Sequence, residues 1–464
     1  MTGLVVVGDV LLDRDLVGTA ERLCPDAPVP VVEQELAVDR PGGAGLAATL
    51  AAKHGAQVTL ISAFAGDEPA QTLRGLLGLA GVETVDCGDS GPTCEKVRVR
   101  AGGQSLLRVD RGGGGEPGEF PDGVDDLVAC CDALLVADYG RGLGRHASTR
   151  RLARLALSRR IPIVWDPHPR GGAPVPGITV VTPNRREAVH FDRDGDAIPA
   201  GWAALTAQAR RLRAGWRAGA VAVTCGAEGA LLVSGDGAPL VIPVDHPVVA
   251  ADSCGAGDAF AAATAVALCV GAVVSEAVQA GVIAASQFVA AGGASSMEAA
   301  PPAEHVSGDP GELAPAAARL EVRRRGGTVV ATGGCFDVLH AGHVRTLERA
   351  RRLGDHLVVL LNSDASVRRL KGPGRPVQGE TDRADVLRSL ACVDEVVIFG
   401  DDTPVPMLER LRPDVFVKGG DYAATAIPEQ TAMASWGGAV VTVPFLAGRS
   451  TTRILERIGA GGEQ

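Results

Sequence analysis

Short apolar runs alternate with longer Ala/Leu/Arg stretches along almost the whole of this chain. "ALLVADYG", "IPIVWDPH", "ITVVTPN" and "GAVAVTCGAEGALLV" read as buried strands. "RHASTRRLARLALSRR" and "GWAALTAQARRLRAG" read as the helices between them. Strands that alternate with helices imply mostly parallel sheets covered on both faces, with ligands bound beyond the carboxyl ends of the strands. At 464 residues the chain exceeds one ordinary core, so the pattern is expected to be divided between domains. The stretch 296–327 has the Pro/Gly/Ala composition of a connector, and 111–123, "RGGGGEPGEFPDG", reads as a loop within the first domain. The expected division is a first domain over 1–305, a linker over 306–326 and a smaller α/β domain over 327–464. In the latter, strands are expected at 328–332, 356–361, 395–399, 414–418 and 439–443, with a helix at 343–353.

Composition narrows the partners. A formal net charge of −10 leaves no basic excess for phosphate backbones, so nucleic acid is excluded as a broad partner. The ten cysteines include no C-x-x-C pair, and the opening "MTGLVVVGDVLLD" reads as a short buried strand running into Gly-Asp, so no leader is expected. Both features point to reduced thiols and a cytoplasmic protein. The Ala-rich run 259–274 is short for a membrane span and reads as a buried helix; no membrane partner is expected.

Two turns carry chemistry. In "ADSCGAGDAFAAATAVAL", small residues let the backbone approach a ligand, and free N–H groups at a helix start favour an anion. Asp258 beside that hole could take a proton from a hydroxyl, or could simply cap the helix. In "ATGGCFDVLHAGHVRTLERARRLGDHLVVLLNSD", His340 and His343 sit between a glycine turn and a helix. Metal ligation, phosphate contact and packing are the uses open to them. Cys335 and Asp337 are the nearby candidate metal ligands, but no second cluster supports a structural site. Phosphate fits the strand-turn-helix setting best.

These motifs carry two resemblances. The openings "VVVGDVLLDRDLVGTAERLCPDAPVPVV" and "RPGGAGLAATLAAKHGA", then "VTPNRREA", "VTCGAEGALL" and GAGD, resemble the ribokinase (PfkB) family over about residues 3–300. "EKVRVRAGGQSLLRVD" and "DYGRG" look most like the heptose 7-phosphate kinases of that family. The resemblance implies a ribokinase-like α/β domain with a small β lid. It makes Asp258 the catalytic base and Gly255, Ala256 and Gly257 the anion hole. Asp13, Gly42 and Gly43 would meet the sugar, with Lys96 and Arg98 on lid strands near the sugar phosphate. Asn184 and Glu187 match an N-x-x-E motif linked to magnesium and phosphate, and Thr224, Gly226 and Gly229 match the ATP-side turn. Three positions depart from the family pattern: Leu46 replaces an Asn that holds sugar hydroxyls, Cys254 replaces a Thr, and His168 stands where a Lys would sit.

"GCFDVLHAGHV", "NSDASVRRLKGPGRPV", "VKGGDY" and "GRSTTRIL" resemble the cytidylyltransferase-like nucleotidyltransferases with their H-x-G-H signature. Residues 328–457 are most similar to the adenylyltransferase domain of bifunctional heptose enzymes. This implies a Rossmann-like domain in which His340 and His343 contact the α-phosphate of ATP and Lys371 neutralises phosphate charge. Gly334 and Phe336 belong to the signature turn, while Asp337, Asn362 and Asp364 arrange the pocket or magnesium. Lys418 and Asp421 lie at the nucleotide or sugar edge, and Ser450, Thr451 and Thr452 donate from the last helix start. Together the resemblances imply an ADP-heptose-forming enzyme, probed with ATP, heptose phosphates and Mg2+ held mainly through phosphates rather than by a side-chain cluster. A homodimer is expected. Two other readings stay open: a first domain that only binds or oligomerises, and a transferase that takes another sugar or CTP.

Overall fold

The computed structural model describes residues 3–102, 104–192, 198–244, 253–293, 322–323, 325–419 and 428–444. They form two compact units, the first containing most residues before 225 together with 253–293, the second containing 225–244 and the described residues after 321.

The first unit is built on β1 (Gly3–Gly8), β4 (Gln57–Ser62), β5 (Val82–Asp86), β8 (Ala133–Ala137), β9 (Ile163–Asp166), β10 (Val180–Val181) and β11 (Ala220–Thr224). Their order is β11-β10-β9-β8-β1-β4-β5, and the pairs are parallel. β8 is "ALLVA" with every residue buried, as expected of a strand covered on both faces. The order reverses between β1 and β8. At such a reversal the flanking connections leave to opposite faces, so a crevice opens beyond the strand ends. A second, four-stranded sheet in the order β3-β2-β6-β7 is formed by β2 (Val10–Leu23), β3 (Pro30–Gly43), β6 (Glu95–Ala101) and β7 (Gln104–Arg111). It is the lid that the ribokinase resemblance implies. The 14-residue arms β2 and β3 are a feature the apolar pattern did not announce, because their outer halves are exposed.

The run "GAVAVTCGAEGALLV" is two strands rather than one. β11 ends at Thr224, a turn with Gly226 and Gly229 at positive φ follows, and β12 (Ala230–Val233) pairs antiparallel with β13 (Leu240–Ile242).

The second unit repeats the grammar of the first. β14 (Val329–Gly334), β15 (His356–Asn362), β16 (Glu395–Phe399), β17 (Val415–Gly419) and β18 (Ala439–Val443) fall within two residues of the expected strands. Their order is β16-β15-β14-β17-β18, all parallel, and it reverses between β14 and β17. Val329, Ala331, Val358, Leu360, Phe399, Leu408, Phe416 and Val440 make a buried cluster under this sheet. No helix among the described residues is long and apolar enough to cross a membrane.

Candidate active sites

In the first unit the helix Ala256–Cys269 starts at Gly255, which has φ +86° and no side-chain cap. A Cβ there would stand 2.8 Å from Cδ2 of Leu46 and 3.0 Å from the Phe288 ring, so glycine is required by both conformation and space. Leu46 therefore packs closely against the Gly255 turn. Asp258 lies in the first helical turn and is 5% exposed. Its Oδ1 accepts a 2.5 Å hydrogen bond from the Tyr139 hydroxyl. Burial pushes the Asp258 carboxyl up to about 7, against the hydrogen bond from Tyr139 and the charge of Lys96. A carboxyl poised there suits a general base near neutral pH.

The lid supplies the rest. Asp13 and Lys96 face each other in the parallel pair β2–β6. Arg98 donates from Nη1 to Oδ1 of Asp13 at 2.6 Å and from Nη2 to Sγ of Cys254 at 3.2 Å. One guanidinium thus ties the four-stranded sheet to the residue just before the Gly255 turn, and Cys254 serves as its acceptor. Gly42 leaves room for this carboxylate: a Cβ there would be 2.4 Å from Oδ2 of Asp13. Gly43, at φ +62°, would carry a Cβ 2.5 Å from the Asp9 carbonyl.

Asn184 and Glu187 form a reciprocal capping box on the helix Arg185–Phe191. The Asn184 side chain accepts from the backbone of Arg186 and Glu187 at 2.9 and 3.0 Å, while Glu187 accepts from the Asn184 backbone at 2.8 Å. The local cap and the site coincide, because the charge of Glu187 raises the pKa of both Asp258 and Asp166. Thr224 ends β11 and bridges to Asn184. Gly226 and Gly229 shape the next turn, with Cys225 N–H donating to the Gly229 carbonyl at 2.7 Å. The His168 ring stacks on Tyr139 with centroids 6.5 Å apart, and its Nδ1 accepts from the Arg170 backbone. Burial lowers its pKa, so it does not reproduce a lysine's fixed charge.

Sequence reading gave Asp9 and Tyr139 no role. Asp9, at the end of β1, is 4% exposed and accepts from the backbone N–H groups of Tyr139, Arg141 and Leu143, each at 3.0 Å. It holds the "DYGRG" segment across the reversal point. The available signal was positional: both residues follow the strands that flank the reversal.

In the second unit β14 ends at Gly333–Gly334 and the chain turns through Phe336, a non-glycine residue at φ +43°. Such a conformation is costly and marks a constrained site. A Cβ on Gly334 would lie 3.1 Å from the Phe336 ring. That ring packs against His343 at 5.2 Å, and His343 stacks on His340 at 3.9 Å. His340 is the N-cap of the helix Ala341–Arg351, where its Nδ1 accepts from Gly342 N–H at 3.1 Å. Accepting through Nδ1 leaves Nε2 as the protonated donor of a neutral ring. Burial, aided by His340 and by the charge of Lys371, lowers the His343 pKa to about 4. Lys371, the exposed last residue of the helix Asp364–Lys371, is thus felt at the histidines.

The carboxylates of this half have structural partners. Asp337 is 2% exposed; its Oδ1 accepts from Val377 N–H at 2.6 Å and from Gln378 N–H at 3.2 Å, and it pairs with Arg375 at 2.9 Å. It fastens the signature turn to the 375–378 segment. Asn362 donates to Oγ of Ser366 at 3.0 Å, and Asp364 accepts from Arg383 at 2.8 Å. Arg383, absent from the sequence reading, has no exposed side-chain surface and also donates to the carbonyls of Cys335, Asn362 and Gln378. Lys418, at the end of β17, pairs with Glu429 at 3.0 Å. Asp421, Ser450, Thr451 and Thr452 lie outside the described residues.

Each unit therefore has a parallel sheet with a reversal point and a glycine turn that opens a helix there. Buried groups suited to phosphate chemistry line each turn. The class this defines is a carbohydrate kinase fused to a nucleotidyltransferase. The family model of the pfkB family carbohydrate kinases matches residues 1–300, and that of the cytidylyltransferase-like proteins matches 331–457. The bifunctional protein HldE of Streptomyces coelicolor is 50% identical over 460 residues, covering 99% of this chain and 97% of the relative. That of Geotalea uraniireducens is 38% identical, covering 98% and 96%. Phosphofructokinase-2 from Escherichia coli shares the fold of the first part, with TM-score 0.51 at 19% identity, covering 62% of this chain and 93% of that one. The chain belongs to the family of bifunctional HldE proteins.

Proposed function

We propose that the first part transfers the γ-phosphoryl group of ATP to the anomeric hydroxyl of D-glycero-β-D-manno-heptose 7-phosphate, giving the 1,7-bisphosphate. The second transfers the adenylyl group of ATP to D-glycero-β-D-manno-heptose 1-phosphate, giving ADP-heptose and pyrophosphate. In the first reaction Asp258 takes the hydroxyl proton, and the N–H groups of the Gly255–Gly257 turn stabilise the transferred group. In the second, a sugar phosphate oxygen attacks the α-phosphorus and the α–β bridging oxygen leaves with pyrophosphate. His340 and His343 donate to the α-phosphate oxygens as charge builds on them, without a covalent intermediate.

The observation that carries the reading is the stacked histidine pair on a helix start at the strand reversal, with burial favouring the neutral form of His343. Two stacked imidazoles at a helix start suit an anion that changes charge during reaction. Arg98 bridging Asp13 and Cys254 favours an active kinase half, because the departure at Cys254 is absorbed into the site rather than left vacant.

Among the described residues no group of three or more His, Cys, Asp or Glu stands together to hold a metal ion. Magnesium would arrive on ATP, where waters and phosphate oxygens supply most of its ligands. When bound it neutralises phosphate charge. None of the ten cysteines forms a disulfide, and reduced thiols accord with a cytoplasmic enzyme. Leu23, Leu36, Leu106 and Leu107, exposed on the lid strands, support a homodimer, which light scattering would test.

The decisive experiment is product analysis of the whole protein with ATP, magnesium and each heptose phosphate in turn. His340→Ala and His343→Ala are each expected to lower pyrophosphate release by about a hundredfold, mostly in kcat. Parental rates in both variants, or a preference for CTP over ATP, overturn the reading.

A further inference from the structure

The base of the kinase half does not stand alone. Tyr139 belongs to the segment after β8, and its place is set by Asp9, which accepts its backbone N–H at 3.0 Å. Its hydroxyl then meets Oδ1 of Asp258 at 2.5 Å, across 119 residues of sequence. The ring has two close neighbours: the Lys96 ammonium lies 5.4 Å from its centroid, and His168 stacks on it at 6.5 Å. A phenol fixed at its backbone and packed by two further side chains is a poor candidate for incidental contact.

We propose that Tyr139 is a positioning residue for the phosphoryl transfer: its hydroxyl, donated to Oδ1 of Asp258, keeps the base ionised and determines which carboxylate oxygen faces the sugar hydroxyl. This rests on the reading of Asp258 as the base. In the step itself the sugar O–H proton passes to the carboxylate, and the sugar oxygen forms the new bond to the γ-phosphorus. The bond from that phosphorus to the β–γ bridging oxygen breaks, and ADP leaves with the electron pair. Tyr139 keeps its proton throughout, as a phenol whose ionisation is opposed by burial and by the Asp258 charge.

The groups acting on Asp258 come from every side. Asp13 on β2 and Glu187 on the helix Arg185–Phe191 favour its protonated form, as does burial; Tyr139 and Lys96 on β6 oppose them. Asp166, at the end of β9, is itself raised by the charge of Asp258. Removing the phenol hydroxyl takes away the leading opponent of protonation while leaving Lys96 in place. The sign follows: the base then ionises at higher pH.

The test is Tyr139→Phe in the full-length enzyme, assayed for ADP formation with heptose 7-phosphate and Mg-ATP between about pH 5 and about pH 9. The acid limb of kcat/KM is expected to move up by about one pH unit. The loss is then about tenfold below the parental limb and shrinks as pH rises. A structural role alone predicts a loss equal at all pH values, or a rise in KM with an unshifted limb, and either result overturns the proposal. A second measurement needs no variant of Tyr139. The chain has only two tyrosines, Tyr139 and Tyr422, so ultraviolet titration of Tyr422→Phe reports Tyr139 alone. Titration at an ordinary phenol pKa would also sink it. If the parent forms no ADP from heptose 7-phosphate, the proposed function fails; an active parent with an unshifted Tyr139→Phe profile defeats only this inference.

Discussion

Arg383→Met tests whether one buried cation holds the transferase turn together. The guanidinium donates to three carbonyls, those of Cys335, Asn362 and Gln378, and to the Asp364 carboxylate. Methionine keeps most of the stem's packing and removes every donor. The Asp364 side chain is 25% exposed and can rehydrate. The carbonyls beside a side chain with no exposed surface are less able to. At about 1 kcal/mol for each stranded carbonyl the cost is about 3 kcal/mol, rising towards 5 kcal/mol if the ion pair behaves as a buried one. With a urea slope of about 1–3 kcal/mol per molar, a 3 kcal/mol loss lowers the unfolding midpoint of the transferase part by about 1–3 M. Pyrophosphate release after incubation in graded urea reads that midpoint. Arg383→Lys, which keeps the charge but not the fork, should recover less than half of the loss. A Met variant with the parental midpoint and rate would show that the turn is held by other contacts, and the reasoning would fail.

Gly255→Ala should cost about 1–2 kcal/mol from its left-handed backbone alone, and more from the contact with Leu46, with ADP formation falling alongside the melting midpoint. Adding Leu46→Ala should relieve the steric part only; complete rescue would disprove the backbone argument. The third prediction concerns acid. With a folded pKa of about 4 against an ordinary 6.5, His343 stays neutral while the unfolded chain takes up a proton. Its contribution to stability is therefore present above pH 6.5 and is lost as pH falls towards 4. His343→Gln should flatten that part of the pH dependence of the urea midpoint, and an unchanged slope would refute it.

Much of this molecule is legible locally. Strands β14 to β18 lie within two residues of their apolar runs, because a strand buried on both faces needs an unbroken hydrophobic segment. The lid's long arms were not legible, since half-exposed strands carry mixed residues and are held by pairing rather than burial. Asp337 and Arg383 show a different gap. Aspartate in a signature turn reads as a ligand for a substrate's charge, yet its partners are the Arg375 guanidinium and the backbone N–H groups of Val377 and Gln378, the former of these two forty positions away. Nothing in the residues around Arg383 marks it as buried; its partners are brought to it by β14 and β15.

What the sequence determined by itself is the chemistry available at each turn: GAGD opening a helix, and HAGH following a strand. Those are set by neighbours a few residues apart, through backbone freedom and helix periodicity. The tertiary structure alone decided which distant groups tune them. Tyr139 reaches Asp258 over 119 residues, and Arg98 reaches Cys254 over 156. The physical reason is the reversal of strand order, which gathers the ends of strands far apart in sequence into one crevice, where burial makes each single hydrogen bond count.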